Sequence, residues 1–90
     1  MAAVRIPPTL RAEVGGSRLL EARGNTVADV IDDLVERYPA LGPQLLKDGE
    51  LASFVNVYVD GEDIRMRDGL DTPVGEGGQM ILLPAMAGGV

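Results

Sequence analysis

One periodic apolar stripe constrains the fold of this 90-residue chain more than any other feature. Between Val27 and Tyr38, apolar and aromatic residues recur at positions i, i+3, i+4, i+7, i+8 and i+11, which is the spacing of one helical face. Thr26 precedes the stripe with Asp29 three residues later, as in a capping box, and Pro39 follows it as a stop signal. The pattern predicts an amphipathic helix that buries one face against another layer.

Short segments with strand character lie before this helix. An opening strand carries Val4, Ile6 and Leu10 and is closed by two consecutive prolines, which suits an edge or opening position. Gly15 and Gly16 then turn the chain into a second strand over residues 17–22. We therefore expect a β-hairpin ahead of the helix.

More strands follow the helix, after a short helical segment expected over residues 40–47. Residues 54–59 alternate between two sets of side chains, and Asp60-Gly61 is a strong hairpin turn that returns the chain through residues 63–65. A loop rich in Asp, Gly and Pro leads to a last strand over residues 79–83, and Pro84 ends it. Gly75, Gly77 and Gly78 are interpreted as a plain turn, because no Lys-Ser/Thr follows them.

This order of elements predicts an α+β fold, a ubiquitin-like β-grasp in which a mixed sheet packs on one main helix. We expect the final strand to be central and parallel to the first. Residues 1–84 then form the domain, and residues 85–90 form a flexible C-terminal tail. Fully extended, the part of the tail from Ala85 to Gly89 reaches at most about 17 Å, which is enough to enter a cleft in a partner.

Composition excludes several classes of function. The formal charge of −6 and the pI near 4.4 argue against a nucleic-acid binder. The chain has no Cys, His or Trp, so a thiol nucleophile, a disulfide, a zinc finger, a cysteine-held iron–sulfur cluster and histidine catalysis are excluded. No apolar run approaches the roughly 18 residues of a membrane span, and the N-terminus lacks a secretory signal. We expect a cytoplasmic protein that is not an enzyme and binds no metal.

The alternation of the strands predicts a partner site. Met80 and Leu82 should point toward the helix, together with the three valines of residues 55–59. The residues expected on the opposite, uncovered face are Phe54, Tyr58, Ile81 and Leu83. An uncovered face should be polar, so an apolar patch there indicates a docking surface. The acidic helix face of Asp29, Asp32, Asp33 and Glu36 is interpreted as solvated, with a basic partner or a metal as the alternative. Arg65 and Arg67 are interpreted as ordinary surface charges, with contact to an acidic partner surface as the alternative.

Two stretches resemble a known family. FVNVYVDGEDIR and RDGLDTPVGEGGQMILLPAMAGG are similar to the MoaD/ThiS family of ubiquitin-like sulfur carrier proteins and, within it, to the CysO-like carriers of cysteine biosynthesis. The specific elements are the VNVYVDG hairpin, the DGLDT turn and the ending in which a strand is followed by Pro-Ala-x-Ala-Gly-Gly. The resemblance runs from the first strand to Gly89.

The resemblance implies a chemistry for the tail. An ATP-dependent activating enzyme adenylates the carboxylate of Gly89, and a sulfurtransferase step converts it to a thiocarboxylate. That group donates sulfur to a synthase, either a cysteine synthase-like enzyme that uses pyridoxal phosphate or a thio-sugar synthase. The carrier itself binds no cofactor, since the activating enzyme uses the ATP. Ala87 and Gly88 belong to the tail, where glycine offers no side chain to obstruct a narrow passage.

Val90 departs from the family pattern, because it turns the Gly89 carboxyl into an amide that cannot be adenylated. Either a peptidase removes Val90 from a precursor, or Val90 is an added residue, or the tail is inert; we favour trimming. Two other functions stay open. One is a ubiquitin-like modifier that is conjugated to lysines through Gly89, and the other is a non-covalent β-grasp binding subunit.

Overall fold

The computed structural model describes residues 1–84. Within that range the chain forms a five-stranded mixed sheet, a separate two-stranded hairpin, one main helix and one short helix, joined in part by 3-10 turns. The strands and helices are β1 (Ala2–Arg5), β2 (Leu19–Ala22), α1 (Val27–Arg37), α2 (Gly42–Leu45), β3 (Leu46–Lys47), β4 (Glu50–Leu51), β5 (Val55–Val59), β6 (Glu62–Asp63) and β7 (Gln79–Pro84).

The sheet has the strand order β2-β1-β7-β5-β6. The last strand is therefore central, and it runs parallel to β1 and antiparallel to β5, as the sequence predicts. Met80 lies opposite Val4 on one side and opposite Val59 on the other, so the inward side chains of three strands stand in one row. The prediction of a mixed sheet packed on one main helix is confirmed.

Helix α1 forms where the apolar stripe predicts it. The Thr26 hydroxyl accepts a hydrogen bond from the Asp29 N–H at 3.2 Å, and the Asp29 carboxylate accepts one from the Asn25 N–H at 3.3 Å. The first bond satisfies a donor that the first helical turn leaves free, and the second holds the residue before the N-cap against that turn. The stripe buries Val27, Val30, Ile31 and Leu34 completely, and these pack in one core with the inward residues of the sheet.

One detail of the first hairpin differs from the sequence prediction. Leu10 does not belong to the opening strand but lies in a 3-10 segment over Pro8–Val14. The two prolines fix φ and remove backbone donors, so the strand ends at Arg5, and the Leu10 N–H bonds to the Pro7 carbonyl at 3.0 Å. Of the two predicted positions, edge or opening, β1 has the second: it is the first strand of the chain, and it is an inner strand of the sheet because β2 covers its outer side.

The second half of the chain also departs locally from prediction. The turn at Asp60-Gly61 is confirmed, with φ of 49° and 89°. The return strand ends at Asp63, however, because its carboxylate accepts the Arg65 N–H at 2.8 Å and starts a 3-10 turn over Ile64–Met66. The hairpin of β3 and β4 was not predicted, since each strand contains two residues and shows no periodicity.

Candidate functional site

The candidate site lies where the central strand leads into the tail. Arg5 at the end of β1 lies opposite Ile81, and Val55 at the start of β5 lies opposite Pro84. The tail therefore continues from the end of the sheet at which β1 ends and β5 begins. The predicted site residues Ala87, Gly88, Gly89 and Val90 lie outside the described residues, as does the whole predicted tail over residues 85–90.

Three of the four predicted docking residues share the uncovered face of the sheet. Tyr58 and Ile81 are direct cross-strand neighbours, and each is partly exposed. Leu83, two residues further along β7, is 41% exposed and lies opposite Asn56. Their intervening neighbours are buried, so the strands have the expected inward and outward alternation. This face therefore presents aromatic and aliphatic surface to solvent near the end of β7.

Phe54 is placed differently from the other three. It lies in the turn before β5 and is 50% exposed. Its side chain contributes to a groove beside Pro84, whose other apolar walls include Pro7 and Leu10. Thr9 and Gln44 add polar groups to the same groove. Phe54 therefore borders the tail exit and extends the apolar surface around the end of the sheet.

The sequence does not identify the groove residues other than Phe54 as part of a docking surface. Pro7, Thr9 and Leu10 precede Phe54 by more than forty positions, and Gln44 lies in the short helix α2. The 3-10 segment after β1 brings the first three to the tail exit. Two consecutive prolines signal an interruption of the strand, but they carry no information about which distant residue the next segment contacts.

Arg65 has a structural role beside this groove. Its guanidinium donates to the Asn56 side-chain oxygen at 2.7 Å, to the Val55 carbonyl at 2.9 Å and to the Ala52 carbonyl at 3.1 Å. The two bonds to carbonyls fix the backbone on both sides of Phe54. Arg67 instead lies 3.4 Å from the Glu62 carboxylate, an exposed pair that contributes little to stability.

Within residues 1–84, no group of three or more acidic side chains lies in position to share a metal ion. Over the same residues, no helix combines the length and the apolar character needed to cross a membrane. The glycine-rich loop is a turn, in which the Gly78 N–H bonds to the Gly75 carbonyl at 2.9 Å.

One acidic side chain of α1, that of Asp33, is hydrogen-bonded within the domain. The Asp33 carboxylate accepts from the Arg23 N–H and from the Arg37 guanidinium, each at 3.0 Å. The backbone hydrogen bond from Arg23, helped by the charges of Arg37 and Arg23, lowers the pKa of Asp33. Asp33 thus serves to tie α1 to the end of β2.

Comparison with known proteins gives a consistent result. The model of the ThiS family matches residues 4–89. The sulfur carrier protein CysO of Mycobacterium tuberculosis is 40% identical over 89 residues, which cover 96% of this chain and 96% of that protein. Small archaeal modifier protein 3 of Haloferax volcanii is 36% identical over 64 residues, or 71% of this chain and 70% of that protein.

A solved structure also matches nearly the whole chain. The crystal structure of the BexX/CysO complex of Amycolatopsis orientalis contains a chain that superimposes with a TM-score of 0.92 at 40% identity. The match covers 97% of this chain and 98% of that chain.

Proposed function

This chain belongs to the ThiS family, and from that premise we propose that it is a sulfur carrier protein whose Gly89 carboxyl group carries the sulfur as a thiocarboxylate. The observation that carries the proposal is the near full-length similarity to a sulfur carrier named CysO, at 40% identity over 96% of both chains. The matched residues 4–89 end at Gly89, the position at which the proposed chemistry takes place.

The position of β7 supports the same function. The strand is central, paired with β1 up to Ile81 and with β5 up to Pro84, so the position of Pro84 relative to the docking face is set by its pairing with Val55. Gly89 is five residues beyond Pro84, which limits its distance from Pro84 to about 17 Å. A partner that holds the uncovered face can therefore reach the Gly89 carboxyl with an active site within that radius.

The proposed reaction sequence begins with hydrolysis. A peptidase adds water across the Gly89–Val90 peptide bond and leaves a free carboxylate on Gly89. One carboxylate oxygen attacks the α-phosphorus of ATP on the activating enzyme, and pyrophosphate leaves. A sulfide-equivalent nucleophile then displaces AMP and gives the thiocarboxylate. In this scheme the carrier is a protein substrate and not a catalyst, which agrees with its lack of Cys and His.

The thiocarboxylate sulfur then passes to an electrophilic carbon on a sulfur-accepting synthase. We propose a synthase of cysteine formation or of a thio-sugar as this partner. The similar Amycolatopsis orientalis chain was crystallised in a complex of BexX with CysO, which supports a carrier that docks onto a second protein. Because adenylation consumes ATP, we place the reaction in the cytoplasm.

A second function has a specific observation in its favour. The Haloferax volcanii relative is named a small archaeal modifier protein, which suggests conjugation to lysine amines through the same adenylate. The two functions differ only in the nucleophile that displaces AMP, so one chain can serve both.

The decisive experiment compares two chains, one that ends at Gly89 and one that ends at Val90. Each is incubated with the cognate activating enzyme, ATP and a sulfide source, and pyrophosphate release and intact mass are followed. We expect pyrophosphate from the Gly89 chain alone, and a mass increase that corresponds to one oxygen replaced by one sulfur. Equal pyrophosphate release from both chains contradicts the role of Val90 removal. Higher-mass conjugates in cell extract without a thiocarboxylate favour the modifier.

A further inference from the structure

Three arginines gather in one place on a protein that is otherwise acidic. Arg5, Arg11 and Arg18 line a single surface pocket, together with the exposed side chain of Leu19. The formal charge of the chain is −6, with 8 basic residues in all. We call these three side chains the basic cluster.

The backbone of Ile6 holds two of the three arginines near the end of β1. The Ile6 N–H donates to the Arg18 carbonyl at 2.8 Å, and the Ile6 carbonyl accepts from Arg11 Nε at 3.1 Å. Arg5 immediately precedes Ile6, and its Cα pairs with that of Leu19 in the antiparallel hairpin. The cluster is therefore built by the fold from three separate parts of the sequence.

The basic cluster differs from Arg37, Arg65 and Arg67 in its charge balance. Arg37 pairs with Asp33 at 3.0 Å, Arg67 pairs with Glu62 at 3.4 Å, and Arg65 is bonded to side-chain and backbone oxygens. Within residues 1–84, by contrast, no carboxylate lies within 4.0 Å of a guanidinium of the basic cluster. Because no carboxylate neutralises these three like charges, they produce a positive potential that is available to a partner of opposite charge.

The cluster also lies beside the candidate site. Arg5 is the direct neighbour of Ile81 across the parallel pair of β1 and β7, and both line a second pocket on the uncovered face. Both residues lie toward the end of the sheet at which Pro84 leads into residues 85–90. A protein that covers Ile81 and Leu83 while it receives the tail must therefore approach the basic cluster as well.

We propose that the basic cluster pairs with carboxylates on an acidic docking surface of the activating enzyme. This inference rests on the proposed function and specifies how that partner binds. Guanidinium groups match carboxylates in a two-pronged geometry. Exposed pairs of this kind are individually weak and act mainly on the rate of association. That suits a carrier that must dock quickly, react and then leave for its sulfur acceptor. The net negative charge of the rest of the domain disfavours a nucleic acid as the occupant.

The test compares two triple variants of equal net charge. One removes the cluster, R5Q/R11Q/R18Q, and the other removes three basic residues elsewhere, R23Q/K47Q/R67Q. Arg18 and Arg23 flank the same strand β2 at its opposite ends, so this control separates position from charge. Both are made in chains that end at Gly89, and pyrophosphate release by the cognate activating enzyme is measured against carrier concentration at low and high salt.

We expect the cluster variant to raise KM for the carrier about 5- to 100-fold at low salt with little change in kcat, the combined effect of three exposed pairs. The control variant should stay within about 2-fold of wild type. Added salt should raise the KM of wild type toward that of the cluster variant, because salt screens exposed charges. Since Arg11 also bonds to the Ile6 carbonyl, the double variant R5Q/R18Q is measured too, and a several-fold rise in KM is expected from it while its thermal unfolding stays like that of wild type.

Three outcomes overturn the inference. The first is an equal KM for the cluster and control variants while wild type releases pyrophosphate, a result that leaves the proposed function intact. The second is cluster-dependent binding of inorganic phosphate or of a single-stranded RNA by the isolated chain, with KM unchanged. The third is an absence of pyrophosphate release from wild type ending at Gly89, which refutes the proposed function and the inference together.

Discussion

Two adjacent leucines on the central strand offer a matched test of the fold and of the docking face. Leu82 is fully buried and lies opposite Val57, whereas Leu83 is 41% exposed and lies opposite Asn56. The same truncation to alanine at the two positions removes the same atoms from opposite faces of one strand. The difference between the two results therefore reports only on the environment of each side chain.

The expected magnitudes differ clearly. Truncation of a fully buried leucine to alanine costs about 2 to 5 kcal/mol, a large part of the roughly 5 to 15 kcal/mol that stabilises a small domain. At about 4 to 8 °C per kcal/mol for a domain of this size, Leu82→Ala should lower the unfolding temperature by at least about 8 °C. Leu83→Ala removes atoms that are already partly in water, so we expect about 1 kcal/mol or less.

The effects of the two variants on KM for the carrier should have the opposite order. Leu83 lies on the face that we propose to contact the activating enzyme, so Leu83→Ala should raise KM for the carrier about 5-fold, the effect of losing roughly 1 kcal/mol of contact energy. Leu82→Ala should leave KM unchanged once the concentration is corrected for unfolded protein. The assays are urea or thermal unfolding, and pyrophosphate release at a temperature where both variants are folded.

A clear result would refute this reasoning. Equal losses of stability, or a larger loss for Leu83→Ala, would mean that the strand presents its side chains to the wrong faces, because a shift of one residue in register exchanges them. An unchanged KM for Leu83→Ala, together with an unchanged KM for Tyr58→Ala and Ile81→Asp, would remove the docking face from the proposed function while the fold stands.

Three further predictions concern the connection of α1 to the sheet. Gly24→Ala should destabilise by more than about 1 kcal/mol in urea titration, because φ is +149° and an added Cβ would lie 2.6 Å from the Asp29 Cβ. Thr26→Ala should cost about 1 kcal/mol in the same titration through loss of the bond to the Asp29 N–H. Asp33→Asn should destabilise at pH 7 but not in strong acid: the folded state lowers the pKa of Asp33, so its ionised form stabilises above the unfolded value of about 3.9 and loses this effect as pH falls through the folded value.

Each of these has a control within the chain. Gly49→Ala tests positive φ alone, since φ is +79° and no atom lies within 4 Å of the added Cβ, so a cost equal to that of Gly24→Ala would contradict the close approach. Thr9→Ala is the control for Thr26→Ala, because it removes an exposed hydroxyl from a 3-10 segment whose start has no side-chain cap. Asp32→Asn removes an exposed neighbour of Asp33 on the same helix; the same pH dependence in both variants would contradict the account of Asp33.

Much of the domain could be predicted from the sequence because the relevant signals are local. The stripe from Val27 onward and its cap at Thr26 depend on residues within a few positions of one another, and so does the Asp60-Gly61 turn. The alternation in β5 and β7 is equally local, and it assigns Leu82 and Leu83 to opposite faces. Composition limits the possible chemistry independently of the fold, since a chain that lacks Cys and His cannot perform thiol or imidazole chemistry in any fold.

The surroundings of the site were decided by tertiary structure. The groove at the tail exit joins Leu10, Phe54 and Pro84, and the basic cluster joins Arg5, Arg11 and Arg18; neither set has a periodicity of its own. These groups meet because β7 inserts between β1 and β5, and because the segment after β1 turns away as a 3-10 helix. Hydrophobic burial selects which faces pack together, and residues far apart in the chain become neighbours only as a consequence of that packing.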